Sequence, residues 1–218
     1  MAEEITKELI ETQQQQQEEG KGKGKGRYIL AIAGCPGSGK STLSKRLCNK
    51  IKSRGIEAVV VPMDGFHYYR KELDQMLNPE LAHKRRGAHW TFDSEAFVDA
   101  VLSVSEPNSE ASFPSFDHAI GDPAPGEVVV TSEHQVVIVE GLYLFLDVPP
   151  WNKLLSVYDK KCFIRCPIGL ALKRVMHRKV HTLGMEEKVA KNQVEQNDKK
   201  NAITVWKSRN RAEFFIPT

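Results

Sequence analysis

The chain has 218 residues, 40% of them hydrophobic and 27% charged, enough apolar material for one self-sufficient domain and too little for two. A formal net charge of +3 gives no reason for a dedicated nucleic-acid site, no run approaches the roughly 20 apolar residues of a membrane span, and the acidic, glutamine-rich stretch from Met1 to Gly20 lacks the cationic and apolar regions of a signal peptide. Cys35, Cys48, Cys162 and Cys166 are too few for a disulfide framework and lack the paired spacing of a zinc site, so reduced thiols are expected in a cytoplasmic protein, with a nuclear location as the alternative.

Residues 1–26 join an acidic segment containing Gln13 to Gln17 to a Gly/Lys alternation from Gly20 to Gly26. Neither can bury apolar surface, which predicts a disordered tail ahead of a single domain at 27–218. The apolar run from Tyr28 to Ala33 predicts a buried parallel strand, and Leu43, Leu47 and Ile51, spaced by four, predict an amphipathic helix behind it. Ala58 to Val61 reads as the next strand, closed by Pro62. From Glu72 to Gly126 the chain is polar, aromatic and proline-rich without a clear period, and the acceptor pocket is expected there. Val128 to Val130, Val136 to Val139, Cys162 to Ile164 and Phe214 to Ile216 read as further strands, with helices at Ile168 to His181 and Glu186 to Gln196. Strands alternating with helices predict an α/β fold with a mostly parallel sheet and helices on both faces.

Between the first strand and the first helix lies Gly34-Cys35-Pro36-Gly37-Ser38-Gly39-Lys40-Ser41, a complete P-loop in the context that the motif requires. Glycines let backbone amides converge on phosphate oxygens, the helix N-terminus adds its positive dipole, Lys40 reaches the β and γ oxygens, and Ser41 can ligate Mg²⁺. Gly34, Gly37, Ser38, Gly39, Lys40, Ser41 and Thr42 are therefore the expected ATP-binding residues. A P-loop needs an acid at a neighbouring strand end to organise the magnesium, and Glu140, directly after Val136 to Val139, supplies one. A second acid, Asp64, ends the strand that follows the P-loop helix, where it can take the proton of an acceptor hydroxyl. Arg174 and Arg178, four apart on one helix face, suit a mobile lid that neutralises charge on the transferring phosphoryl group. Cys35, inside the phosphate loop near Lys40, is expected to favour the thiolate and to be open to alkylation.

On these residues the chain resembles the phosphoribulokinase/uridine kinase family, from about Tyr28 to the C-terminus. The likeness is carried by the P-loop, by Asp64-Gly65-Phe66, by Pro114-Ser115-Phe116-Asp117-His118 and by Glu140-Gly141-Leu142, with Arg85-Arg86-Gly87 and Asn197-Asp198 with Asn201 as secondary echoes. The chain departs from uridine kinases in lacking the Arg-Asp and Arg-Gly-Arg pairs of their lid. The resemblance implies a P-loop NTPase-type three-layer fold with a helical lid, ATP and Mg²⁺ as cofactors, Asp64 as catalytic base, and an acceptor held by Asp64, Tyr68, Arg86, His118, Asn197 and Asn201. It further implies a small-molecule acceptor, nominally a nucleoside such as uridine, with pantothenate-type or sugar-type metabolites as alternatives, and is compatible with a homodimer. A nucleotide-dependent switch without a small-molecule acceptor is the rival from another class; the Asn-Lys-x-Asp segment of a GTPase and the Ser-Gly-Gly signature of an ABC ATPase are both missing from the sequence.

Overall fold

In chain order, the computed structural model has the following elements. Tyr28–Gly34 is β1, Lys40–Lys52 is α1 and Ala58–Pro62 is β2, followed by a 3₁₀ turn at Met63–Phe66. Three helices come next, α2 at Arg70–Leu73, α3 at Pro79–Lys84 and α4 at Ser94–Ser105, and then two strands, β3 at Ala111–Asp117 and β4 at Asp122–Val130. Val136–Gly141 is β5, Lys160–Arg165 is β6, Ile168–His177 is α5, Glu187–Gln193 is α6, Lys199–Ser208 is α7 and Phe214–Pro217 is β7. The structure describes residue 7 and residues 27–106, 108–117 and 120–218, without the side chain of residue 117. The expected tail, apart from Lys7, lies outside the described residues, as does His118.

Five strands form one parallel sheet in the order β2-β5-β1-β6-β7. All seven residues of β1 and all six of β5 are buried, which requires cover on both faces of the sheet and explains why these strands read as continuous apolar runs. Helix α1 packs on β1, β2 and β5 through Leu47, Cys48 and Ile51, and α7 packs on the sheet with Trp206 edge-on to Phe163 of β6. Lys50 and Lys52 in the last turn of α1 suit the negative end of its dipole.

The irregular stretch resolves into helices and a hairpin. Asp93 caps α4 by accepting from the Ala96 amide at 3.0 Å, and Phe97, Val98, Val101 and Val104 bury one face of that helix. β3 and β4 pair antiparallel as a separate ribbon whose register shifts between Phe113 and Ser115, around Pro114. The expected short strand at Val128 to Val130 is thus the end of a nine-residue strand outside the parallel sheet. Phe66 stacks edge-on with Phe97 and Phe113, tying the turn after β2 to α4 and to the hairpin. That turn approaches Pro114 so closely that a Cβ at Gly65 would run into the Pro114 carbonyl. The hairpin is held over the end of β2 by this contact.

After β6 the expected helices are interrupted. Ile168–His177 is α-helical and passes into a π turn at Arg178–Thr182; α6 likewise passes into a π turn at Val194–Asp198 before α7. Among the described residues no helix is long and apolar enough to cross a membrane.

Candidate active site

Strand register assembles the site. Glu140 lies beside Ile32 of β1 and beside Pro62 of β2, so the P-loop, Asp64 and Glu140 all leave the sheet at the same carboxyl edge, where the strand order reverses about β1. They open onto a cavity of about 500 Å³ lined by Gly37, Gly39, Lys40, Ser41, Thr42, Asp64, Glu140, Arg86, Arg174, Arg178 and Asn201 among others. Gly34 and Ser38 sit beneath the loop instead; Ser38 is buried and its amide donates to the Cys35 carbonyl at 3.0 Å. Gly37 and Gly39 take positive φ, 76° and 95°, which turn the loop without the penalty a side chain would bring. Around Gly39 there is open space, as a loop that approaches phosphate needs.

The Ser41 hydroxyl donates to Glu140 Oε1 at 2.8 Å, and Lys40 Nζ donates to the Cys35 carbonyl at 3.3 Å. Burial pushes the Glu140 carboxyl above its ordinary value and Asp64 adds to the rise, while Lys40 and the Ser41 hydroxyl oppose it. A hydroxyl and a desolvated carboxylate side by side are oxygen donors of the kind that Mg²⁺ prefers. Among the described residues no cluster of three or more His, Cys, Asp or Glu side chains stands ready for a metal, so an ion here would draw its remaining ligands from water and phosphate, as magnesium commonly does.

Asp64, His67, Arg70, Arg86, Gly87, Phe116 and Gly121 also line the cavity. Asp64 sits in the 3₁₀ turn, and its carbonyl accepts from the His67 amide at 3.2 Å and from His67 Nδ1 at 2.8 Å. The His67 ring lies between Phe92 and Phe116, with centroids 3.9 and 4.7 Å away. Arg86 donates to the carbonyls of Tyr68 and Gly121 and to Asp122 Oδ1 at 2.7 Å, with its guanidinium 5.7 Å from the Phe116 ring centre. Tyr68 does not line the cavity. It gives Arg86 its carbonyl, and its phenol stands in the field of Asp93, Glu72 and Glu95.

Arg174 and Arg178 reach the cavity from α5 and the π turn after it, joined by Lys179 and Asp198. Burial raises the Asp198 carboxyl against the pull of Lys179 and Arg178; Lys179 Nζ stands 3.4 Å from Asp198 Oδ2, an ion pair rather than a formed hydrogen bond. The π turn at Val194–Asp198 and the start of α7 are clasped to the loop at Arg85 and Arg86. Arg85 donates to the Gln196 carbonyl at 3.0 Å and to Asn201 Oδ1 at 3.1 Å, Asn197 Nδ2 donates to the Arg86 carbonyl at 2.6 Å, and the Tyr143 hydroxyl holds the Gly87 carbonyl at 2.6 Å. Asn197 is thus engaged with backbone, while Asn201 both joins the clasp and lines the cavity.

His67, Arg70, Lys179 and Asp198 are cavity residues that spacing did not single out. Asp198 adjoins Asn197 and His67 closes the Asp64 segment, so proximity to those motifs was the available signal. The expectation for Cys35 is overturned. Its side chain is fully buried, its thiol points at the Ala202 carbonyl at 3.4 Å, and burial pushes its pKa up to about 11 despite Lys40.

Residues 29–217 match the phosphoribulokinase/uridine kinase family. A Schizosaccharomyces pombe protein named "Putative uridine kinase C227.14" is 41% identical over 186 residues, 84% of this chain and 79% of that one. The "ATP-dependent kinase-like protein notR'" of Aspergillus versicolor is 36% identical, over 71% of this chain and 93% of that one. Among solved structures, a protein of Silicibacter sp. TM1040 described as a "putative fructose transport system kinase" superposes with a TM-score of 0.81 at 33% identity, covering 90% of this chain and 92% of that one. A chain matched almost end to end, with an intact P-loop opening on one shared cavity, belongs to the phosphoribulokinase/uridine kinase family of ATP-dependent P-loop kinases.

Proposed function

We propose that this kinase transfers the γ-phosphoryl group of MgATP to a hydroxyl of a small polar metabolite. The observation that carries the reading is that Asp64, Glu140 and the P-loop residues Lys40 and Ser41 face one cavity, with Arg174 and Arg178 across it. In this reading the loop amides of Gly37, Gly39, Lys40, Ser41 and Thr42 and the Lys40 ammonium hold the phosphates. Asp64 orients the acceptor hydroxyl and takes its proton, a role for a general base within reach of the hydroxyl. Arg174 and Arg178 neutralise charge on the transferring group and help exclude water, which would otherwise compete as acceptor. Ser41 and Glu140 are the residues that would hold magnesium, which when bound withdraws charge from the phosphate oxygens.

For the acceptor, the S. pombe relative's name favours a nucleoside such as uridine, and the Silicibacter protein's description favours a sugar. The two arginines at the acceptor end, Arg70 and Arg86, favour an acidic metabolite, pantothenate-like in charge, over either. Incubating the full chain with labelled ATP and a fractionated metabolite extract, and following label by mass spectrometry, tests the proposal. One phosphorylated metabolite is the expected result. ATP hydrolysis stimulated only by a protein partner would instead establish a nucleotide switch.

A further inference from the structure

Two π turns interrupt the helices that follow β6, at Arg178–Thr182 and Val194–Asp198. Such turns are rare and recur at functional sites. The second has a local consequence. Gln193 and Asp198 are five positions apart, an interval that on an α-helix sets side chains about 140° from each other. The extra residue of the π turn brings both to one side, where they meet Lys179 of the first π turn. Lys179 Nζ donates to Gln193 Oε1 at 3.0 Å and stands 3.4 Å from Asp198 Oδ2. An ammonium has three donors, so with Gln193 and Asp198 facing two of them one is left for a ligand in the cavity that Lys179 lines.

Among the described residues that line the cavity the acids are Asp64, Glu140 and Asp198, and only Asp198 has no part in the transfer outlined above. Its side chain is mostly buried and Oδ2 has no hydrogen-bond partner. Burial raises the carboxyl, while Lys179 and then Arg178 oppose the rise, so the acid stands in the field of two of the three lid cations that line the cavity, Arg174, Arg178 and Lys179.

We propose that Asp198 is a positioning residue for phosphoryl transfer: together with Gln193 it pins the Lys179 ammonium in the cavity wall, where Lys179 meets the γ-phosphate of ATP beside Arg174 and Arg178. Lysine needs such an anchor because its charge rides on a flexible four-carbon stem and is strongly hydrated. Two anchors flanking one turn fix the ammonium and leave its last donor for phosphate. The π turn acquires a purpose in this arrangement, since an α-helical 194–198 would part the anchors. The proposal deepens the kinase reading and rests on it, although the contact with the γ-phosphate is measurable without an acceptor.

The test measures, by calorimetry on the full chain with Mg²⁺, the affinities for ADP and for adenylyl imidodiphosphate, a non-hydrolysable analogue that carries the third phosphate. Charge alone and positioning predict opposite signs for Asp198→Asn. Deleting a negative charge near the phosphates would raise the preference for the triphosphate over ADP, whereas releasing Lys179 lowers it. Expected is a preference lower by about tenfold or more, the worth of one hydrogen bond to a charged group, with partial recovery in Asp198→Glu. Adding Asp198→Asn to Lys179→Met should cost nothing further, because the acid acts through the lysine. Glu195→Gln removes an exposed acid of the same π turn, paired with Lys199 at 2.8 Å, and should leave the preference unchanged. With the acceptor found by the metabolite screen, kcat of Asp198→Asn should fall about tenfold or more while the acceptor KM stays within a few-fold. An unchanged or raised preference in Asp198→Asn would overturn the proposal. So would losses that add in the double variant, or equal weakening of both nucleotides with a lowered melting temperature, the mark of a merely structural residue. Loss of the preference in both Lys179→Met and Asp198→Asn, with no metabolite phosphorylated by the wild type, would uphold the positioning and refute the kinase reading instead.

Discussion

Replacing Gly37 by alanine should couple stability and turnover through a single contact. Gly37 sits at φ 76°, where an L-residue costs about 1–2 kcal/mol. Its added Cβ would stand 2.9 Å from Val175 Cγ2, and closer still to the Ala171 carbonyl, both on α5. Carbon atoms rest about 3.5–4.0 Å apart, so α5 must retreat by about 0.6–1.1 Å or the loop must deform. Helix α5 carries Arg174 and leads into Arg178, and a misplacement of about 1 Å at a catalytic constellation can cost roughly 10²-fold in rate. Expected are a melting temperature lower by about 4–8 °C, from ~2 kcal/mol in a domain of this size, and kcat lower by roughly 10²-fold. Scanning calorimetry and a coupled ADP-release assay measure the two. Gly169→Ala is the control: it lies in the first turn of the same helix with nothing within 4 Å of the added Cβ, so it should leave turnover unchanged and raise stability by up to about 1 kcal/mol. Unchanged stability and kcat in Gly37→Ala would refute the claim that the phosphate loop and α5 are packed as one unit.

Asp64→Asn keeps shape and removes basicity; phosphoryl transfer should fall by roughly 10²–10⁴ while calorimetry finds MgATP affinity within a few-fold of wild type. In Glu140→Gln, whose partner Ser41 keeps its hydroxyl, the defect should shrink as Mg²⁺ is raised, and a loss independent of Mg²⁺ across a titration would remove Glu140 from the metal site. Cys35 should resist alkylation in the folded protein at pH 7.5, because a pKa of about 11 against an ordinary 9.0 cuts the thiolate fraction about a hundredfold and the sulfur is enclosed; its modification by maleimide on the timescale of an exposed thiol, read by mass spectrometry, would contradict the buried placement.

The parts of the fold that were legible in the sequence are those where one physical demand dominates. Strands β1, β5 and β6 are buried at most positions, and unbroken apolar runs such as Val136 to Val139 record that directly. The P-loop was legible because phosphate contact demands glycine and lysine at fixed spacing. The hairpin was obscured because Pro114, Pro123 and Pro125 break its alternation and its irregular register removes the simple period of two. Helix α4 carried its signal in the Asp93 cap and in Phe97, Val101 and Val104, yet lay inside a stretch dominated by turn residues. Helix α7 was hidden differently: the π turn at Val194–Asp198 adds a residue and shifts the apolar phase, so Ala202 falls out of step with Ala190 and Val194. At the site, Lys40 and Ser41 were legible from the P-loop spacing and Asp64 and Glu140 from their places at or just after strand ends. Arg70 was not, because only the folded hairpin brings Gly121 to it.

The clasp between Arg85, Asn197, Asn201 and the Arg86 carbonyl ties the loop at Arg85 and Arg86 to the segment from Gln196 to Asn201. Thermodynamic linkage then fixes a symmetry. If acceptor binding at Arg86 draws the lid toward the nucleotide and tightens ATP by some factor, ATP must tighten the acceptor by the same factor, whichever arrives first. Cutting the clasp with Asn197→Ala should then move both affinities together toward independence, and each substrate would cease to act as the effector of the other.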